Sequence, residues 1–409
     1  MSDSWTKVNI SQLLELSIGG VWGGDPGTDE IDVRVYRQTE FDDNGTLSMP
    51  SDAVRSITKN QLKSRTLHPG DVLMQKSAGT PTLPGRVVIV PSEIERNATC
   101  SNFLHLLRAD ITRCNSHFLF WLLWFNHQSG KAFEFQRGTN IKNLDLNQYL
   151  AQPVLLPPLA EQKRIVNVVS SVDSYIDALL QQADTARTAR NAVLHELLSA
   201  GGDDWTGTTL GEISELVSRG RAPSYCDDDG VVVLNQKCVR YGRIFFEFAR
   251  RTDTTKKPIP EWAYLKVGDT LINSTGVGTL GRASFVSCLD GPTTFDSHVT
   301  LVRPRDDSSF PQFIGMTLNF RENEIEMFAG GSTGQTELSR EAVNSFPISL
   351  PPLDEQKRIV EIVSSMDDVI QTTEQAVTDA KNLRSGLLSD LLSGNHEIPA
   401  SYDSLLGAA

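Results

Sequence analysis

The chain has no Cys-x-x-Cys pair, no polybasic tract and no apolar run long enough to span a membrane. Its five cysteines, Cys100, Cys114, Cys226, Cys238 and Cys288, are odd in number and irregularly spaced, which reads as reduced thiols of a cytoplasmic protein. The longest apolar stretch, 118–125, reads as a buried helix, and the polar first ten residues do not form a secretory signal. Motifs for common chemistries are missing too. There is no Gly-Lys-Ser/Thr phosphate loop, no His-Glu-x-x-His and no Asp/Asn-Pro-Pro-Tyr/Phe tetrad, and the seven histidines show no ligand spacing with the cysteines. No catalytic residue, no metal site and no enzymatic activity of its own are expected.

What the chain does have is a repeat. Pro-Pro-Leu-Ala-Glu-Gln-Lys-Arg-Ile-Val at 157–166 returns as Pro-Pro-Leu-Asp-Glu-Gln-Lys-Arg-Ile-Val at 351–360, and the 194-residue offset holds to Leu-Leu-Ser at 197–199 and 391–393. The prolines force an extended approach, and Glu161 and Glu355 fall in a first helical turn, where a carboxylate suits the helix dipole. Ile165, Val169, Val172, Ile176, Leu179, Ala183, Ala186, Arg190, Val193 and Leu197 alternate spacings of four and three. Ile359, Val363, Met366, Ile370, Thr373, Val377, Ala380, Arg384, Leu387 and Leu391 do the same. This is the seam of a coiled coil, with Arg190 and Arg384 at one shared seam position, where a polar residue costs stability but fixes register.

Before each helix lies a mixed α/β segment. In residues 1–157, 33–36, 72–74 and 85–91 read as strands and 118–126 as a helix. Residues 205–350 follow the plan loosely: Trp5-Thr6 matches Trp205-Thr206, Leu67 to Leu73 matches Leu265 to Leu271, and Ser101-Asn102-Phe103 matches Ser297-His298-Val299. The expected architecture is therefore α+β, a tandem duplication: globular unit 1–157, helix and hinge 158–204, globular unit 205–350, helix 351–394, and a mobile tail 395–409. The helices have stayed alike while the globular units have diverged, as expected of two different readers carried on one shared device.

The net charge is −13, but 158–204 carries −3 and 351–409 carries −6, so both globular units are near neutral. Each can still present a basic face to DNA. Candidates are Lys59, Lys63, Arg65 and Lys76, with Arg34 and Arg37, in the first unit. In the second they are Arg219 and Arg221, the run Asn235-Gln236-Lys237, whose side chains suit base edges, and Arg240 and Arg243. Each is also readable as a solvated surface residue. Gly276-Val277-Gly278-Thr279-Leu280-Gly281 matches a dinucleotide fingerprint, but the strand-like 283–287 follows it, so a β-hairpin loop is expected; a loop that meets nucleic-acid phosphate through Ser274, Thr275 and Arg282 is the second reading. The loop Gly330-Gly331-Ser332-Thr333-Gly334-Gln335 is another exposed turn.

Two Pro-Pro-Leu-x-Glu-Gln-Lys-Arg-Ile-Val helix starts, each following a divergent α/β unit and ending in Leu-Leu-Ser, resemble the specificity subunit of type I restriction-modification systems. The resemblance implies two target-recognition domains separated by two long antiparallel helices, each domain reading one half of a split DNA target. It implies docking of two methyltransferase subunits, through which restriction subunits join, with S-adenosylmethionine, ATP and Mg²⁺ held by those partners. Under it, Glu161, Gln162, Arg164, Glu355, Gln356 and Arg358 form docking surfaces, and Val169, Arg190, Val363 and Arg384 the helix seam. A non-catalytic scaffold with two protein-binding domains on a helical rod is the alternative.

The seam predicts that Val169→Glu together with Val363→Glu, each burying an unpaired charge, destabilises the protein by on the order of 3–5 kcal/mol. Thermal melting checks this, and wild-type melting would contradict it.

Overall fold

The computed structural model describes residues 5–403 apart from 43, 228, 306, 330–336 and 395. Its contacts divide the chain into two units, 1–180 with 375–409 and 181–374. The candidate loop 330–335 lies outside the described residues.

The two prolines at 157–158 and 351–352 are each followed at once by a long helix, Leu159–Ser199 and Leu353–Leu392. Both end where glycine supplies a left-handed backbone, at Gly201 (φ 53°) and Gly394 (φ 71°). None of the expected seam residues is exposed. Unit one takes the first part of the first helix and the last part of the second. There Ile176 and Leu179 cluster with Val377 and Ala380, and Arg384 is paired with Asp173. Unit two takes the remaining parts, and Arg190 bonds Asp367 (3.1 Å) while Arg187 bonds Glu374 (2.5 Å). In each unit partner numbers fall as residue numbers rise, so the helices pair antiparallel. The two seam arginines thus make equivalent ion pairs, Asp173 and Asp367 being 194 positions apart. Leu194 and Leu388, outside the expected seam, are fully buried. Leu388 faces the aromatic core of its unit, so the apolar stripe is wider there than a two-helix seam requires.

In unit one a four-stranded antiparallel sheet has the order Leu14–Gly19, Leu104–Ala109, Val72–Gln75, Val87–Ile89. A second sheet joins Val54–Ile57, Ile31–Tyr36 and Ala98–Cys100, the last pair parallel. Thr6–Asn9 pairs with Pro153–Leu156. Helix Ser116–Gln128, capped by Asn115, buries Phe118, Trp121 and Trp124 against the first sheet.

Unit two repeats the plan. Its sheet runs Ser214–Arg219, Val299–Pro304, Thr270–Asn273, Ala283–Phe285, and its second sheet again has a parallel pair, Val231–Leu234 with Thr293–Phe295. Thr206–Thr209 pairs with Pro347–Leu350, and Pro311–Phe320 is the helix on the sheet. A bulge falls at the same place in both units, between Leu14 and Leu16 and between Ser214 and Leu216. No described helix is long and apolar enough to cross a membrane.

The hydrogen bonds correct one sequence match. Gly20 N–H donates to the Leu104 carbonyl and Gly220 N–H to that of Val299, so Leu104, not Phe103, is the counterpart of Val299. Loops of unequal length put the sequence comparison one residue out of register. The described part of the tail is also better fixed than expected, because Ile398 is buried in the core of unit one.

The matched Leu67–Leu73 and Leu265–Leu271 stretches share a physical purpose. Asp71 and Asp269, about 1% exposed, each accept a backbone N–H three residues back, from His68 and Lys266 (both 2.7 Å). Each also accepts two bonds from one arginine, Arg108 or Arg303, all at 2.7 Å. The arginines donate in turn to the carbonyls of Thr66 and Tyr264. Arg303→Met leaves Asp269 buried without its cation and is expected to cost about 3–5 kcal/mol, against under 1 kcal/mol for an exposed pair. Denaturant unfolding measures this.

Candidate nucleic-acid interface

Antiparallel pairing brings three chain segments of each main sheet to one end: the exit of the first strand, the exit of the third and the entry to the second. In unit one these are Gly19–Gly20, Gln75–Lys76 and Phe103–His105. In unit two they are Arg219–Gly220, Asn273–Thr275 and His298–Val299. Backbones meet closely here: a Cβ on Gly20 would sit 2.2 Å from the Ser101 carbonyl oxygen, and one on Gly220 2.1 Å from that of Asp296. Glycine is required at both.

In unit one, Arg65 reaches this end and donates from Nε to the Gly19 carbonyl (2.9 Å). Lys76, half-buried, lies beside Gly19 and His105. Burial and the Lys76 charge hold the His105 imidazole down at about 4, so it is neutral, with a 2.9 Å bond to Ser17. Phe103 is nearly half exposed. Lys59 and Lys63 project from helix Lys59–Arg65, exposed and without ion pairs among the described residues. Arg34 and Arg37 pair with Glu95 and Glu40.

In unit two the fingerprint-like glycines form the hairpin loop between Thr270–Asn273 and Ala283–Phe285, with Val277 fully exposed near its tip. A strand follows the loop, so the dinucleotide reading is excluded. Thr275 Oγ1 lies 2.7 Å from His298 Nδ1, and Arg282 donates to the Gly278 carbonyl (2.7 Å). Gln236 packs against Gly276, and its Oε1 is buried without a partner. Asn273 Nδ2 donates to the Gln236 carbonyl (3.0 Å), which holds this segment to the sheet. Lys237, Arg240 and Arg243 surround a second hairpin, Val239–Arg240 with Arg243–Ile244. Arg240 donates to the Lys237 carbonyl (2.9 Å) and stacks on Phe248 at 4.5 Å, while Lys237 and Arg243 are exposed. Between them Tyr241 is 80% exposed with φ 53°, a strained backbone for a bulky residue. Arg221 stacks over Trp262 at 5.7 Å.

Several expected contacts are corrected. Ser274 is fully buried, hydrogen-bonded to Thr300 Oγ1, and cannot meet phosphate in this conformation. The Asn235 amide is consumed internally: Nδ2 donates to the Phe248 carbonyl (2.7 Å) and Oδ1 accepts from Lys237 N–H (2.8 Å). Arg219 is bonded to the Ser297 carbonyl and paired with Glu337. The sequence carried Phe103 and His298 only within the matched Ser-x-x stretches, and nothing in it singled out the exposed Tyr241 side chain.

The helix starts hold their own correction. Gln162 and Gln356, expected on docking surfaces, are fully buried. Gln162 accepts from Asn115 N–H (2.7 Å) and donates to the carbonyls of Arg113 (3.0 Å) and Pro157 (2.8 Å). Gln356 accepts from Phe310 N–H (2.7 Å) and donates to Ser308 (3.3 Å) and Pro351 (2.8 Å). Glu161 and Glu355 accept from the indoles of Trp5 (2.9 Å) and Trp205 (3.3 Å). These residues fasten each helix to the sheet unit before it. Arg358 is exposed, whereas Arg164 bonds Asp403 (2.9 Å).

The type I restriction modification DNA specificity domain family matches residues 3–185 and 202–379. A putative type I restriction enzyme specificity subunit of Methanocaldococcus jannaschii, MjaX, is 22% identical over 96% of this chain and 93% of its own length. The StySPI specificity subunit of Salmonella potsdam is 25% identical over 48% of the chain and 42% of its own. Among solved structures, a chain from work on assembly and conformational transition of a type I R-M system superposes with TM-score 0.61 at 18% identity, covering 97% of this chain and 99% of that one. The S subunit from M. genitalium gives 0.54 at 15% identity, covering 96% and 97%.

Proposed function

Because this chain belongs to the type I restriction-modification DNA specificity family, we propose that it is the non-catalytic subunit that reads a split, asymmetric DNA target, one element per unit. The observation that carries the reading is the doubled sheet end: one scaffold, presenting Lys76, His105 and Phe103 in one unit and, at the equivalent place in the other, His298 beside the buried Ser274 and Thr300. Different side chains on one frame suit two different base sequences. In unit one the cations to approach phosphate are Lys59, Lys63, Arg65 and Lys76; in unit two they are Lys237, Arg243 and Arg221, with Tyr241 between the first two. Phosphate contacts orient each unit, and side chains at base edges select the sequence. The helices set the spacing between the two elements and present acidic outer faces to two adenine methyltransferase subunits, which bring S-adenosylmethionine. Restriction subunits with ATP and Mg²⁺ join through them.

Replacing 205–350 with the matching unit of a relative is expected to change one half of the methylated motif and leave the other half and the spacer intact, read by sequencing modified adenines. A swap that altered both halves would defeat the reading. Lys237→Ala with Arg243→Ala is expected to weaken DNA binding by the assembled complex across sequences and to lower the slope of log affinity against log salt by about 2. An unchanged slope would remove these residues from the interface.

A further inference from the structure

The two helix starts share sequence and internal bonding but not their surroundings. Glu161 is 3% exposed and the Arg164 side chain 12% exposed. Glu355 and Arg358, at the same places in unit two, are exposed. The tryptophan–glutamate and glutamine bonds are alike in both units, so they do not account for the difference. The segment 396–403 does. The Ile398 side chain is buried in the unit-one core, and the segment lies beside the buried Glu161 carboxylate. Arg164 donates from Nη1 to the Ile398 carbonyl (3.1 Å) and from Nε and Nη2 to the Asp403 carboxylate (2.9 and 3.2 Å).

Unit two has no such cover among its described residues. After the first helix the chain passes through 201–204 straight into Thr206–Thr209. No described residue bonds the Arg358 guanidinium, and Asp354 and Glu361, one turn away on the same helix, make no ion pair with it. Beside Trp205 lies a groove of about 600 Å³, its walls including Leu198, Phe320 and Ile348. Their unit-one counterparts, Leu392, Phe125 and Val154, pack with Trp5 on the apolar cluster that contains Ile398.

We propose that the surface of Trp205, Glu355 and Arg358 is an acceptor for an extended acidic segment of a partner protein, bound as 396–403 binds the first helix start. The segment sets an apolar side chain beside Trp205, lies against the Glu355 carboxylate, and offers a carbonyl and a carboxylate to Arg358. Unit one covers the same groups within the chain, so the two helix starts are chemically alike but, among the described residues, only one is open. This goes beyond the docking reading above by naming the site and the chemistry of its occupant. It is tested apart from that reading, because the probe contains neither DNA nor a methyltransferase.

The probe is a capped, fluorescent peptide of residues 396–403, His-Glu-Ile-Pro-Ala-Ser-Tyr-Asp, titrated into the full-length chain up to about 1 mM, the effective-concentration scale of a tethered segment. One saturable site is expected. Arg358→Ala should weaken it about tenfold or more, as for loss of a charge-assisted bond, and a peptide with Asn in place of its aspartate should bind comparably weakly. A chain ending at Gly394 should bind two peptides, the second lost with Arg164→Ala. The full-length arms decide the matter even where the shortened chain fails to fold. No saturable binding to the full-length chain, or binding indifferent to Arg358→Ala, overturns the proposal.

Discussion

Each unit depends on one buried amide. Gln162 and Gln356 sit in the first turn of a long helix, where backbone N–H groups lack helical partners and the chain has just left two prolines. The side-chain oxygen takes the N–H at the start of the sheet-packed helix, and the nitrogen reaches two carbonyls, one before that helix and one at the first proline. Each bond contributes only about 0.5–1.5 kcal/mol net, but losing the amide strands three backbone groups in a dry place, at a larger cost. No other side chain of that length offers an acceptor and two donors in one plane. This gives a physical reason for Glu-Gln to recur in both helix starts: the tryptophan–glutamate bond and the glutamine bridge set the direction in which each helix leaves its unit.

The same reasoning separates what the halves share from what they do not. The Asp71–Arg108 and Asp269–Arg303 pairs, the strand bulges and the glycines at 20 and 220 are common, and all shape the sheet. Divergence gathers at the opposite end of that sheet from the buried ion pairs. There Lys76 is replaced by a buried serine, His105 by Thr300 and Phe103 by His298. Keeping the frame and changing its tips lets one architecture carry two surface chemistries, because the tips contribute little to the core that stabilises the frame.

Along the helices the seam arginines resolve a cost into a constraint. A cation at an apolar seam is unfavourable unless paired, and here each is paired, Arg190 with Asp367 and Arg384 with Asp173. Arg384 also lies over Trp124 at 4.6 Å, so its guanidinium is flanked by a carboxylate and an aromatic face. Sliding either helix by one turn would part each partly buried cation from its aspartate, which fixes the register more sharply than interchangeable aliphatic contacts do.

The duplication, the two long helices with their ends, the paired seam and the hairpin nature of the glycine loop were all written locally in the chain. Period, proline, glycine and spacing act over a few residues, so a single sequence carries them. The family, too, was legible in the doubled helix start. Distance along the chain hid the rest. Asn235 looked like a base-reading side chain until the Phe248 carbonyl was seen to hold it, and Ser274 looked exposed until Thr300 closed over it. Glu161 and Glu355 sit in sequence contexts that differ only by Ala160 against Asp354, and among the described residues the segment 396–403, more than two hundred residues beyond the first, covers one and leaves the other exposed. Hydrogen bonds satisfied by remote partners decide which polar side chains remain available to another molecule, and tertiary structure alone supplies those partners.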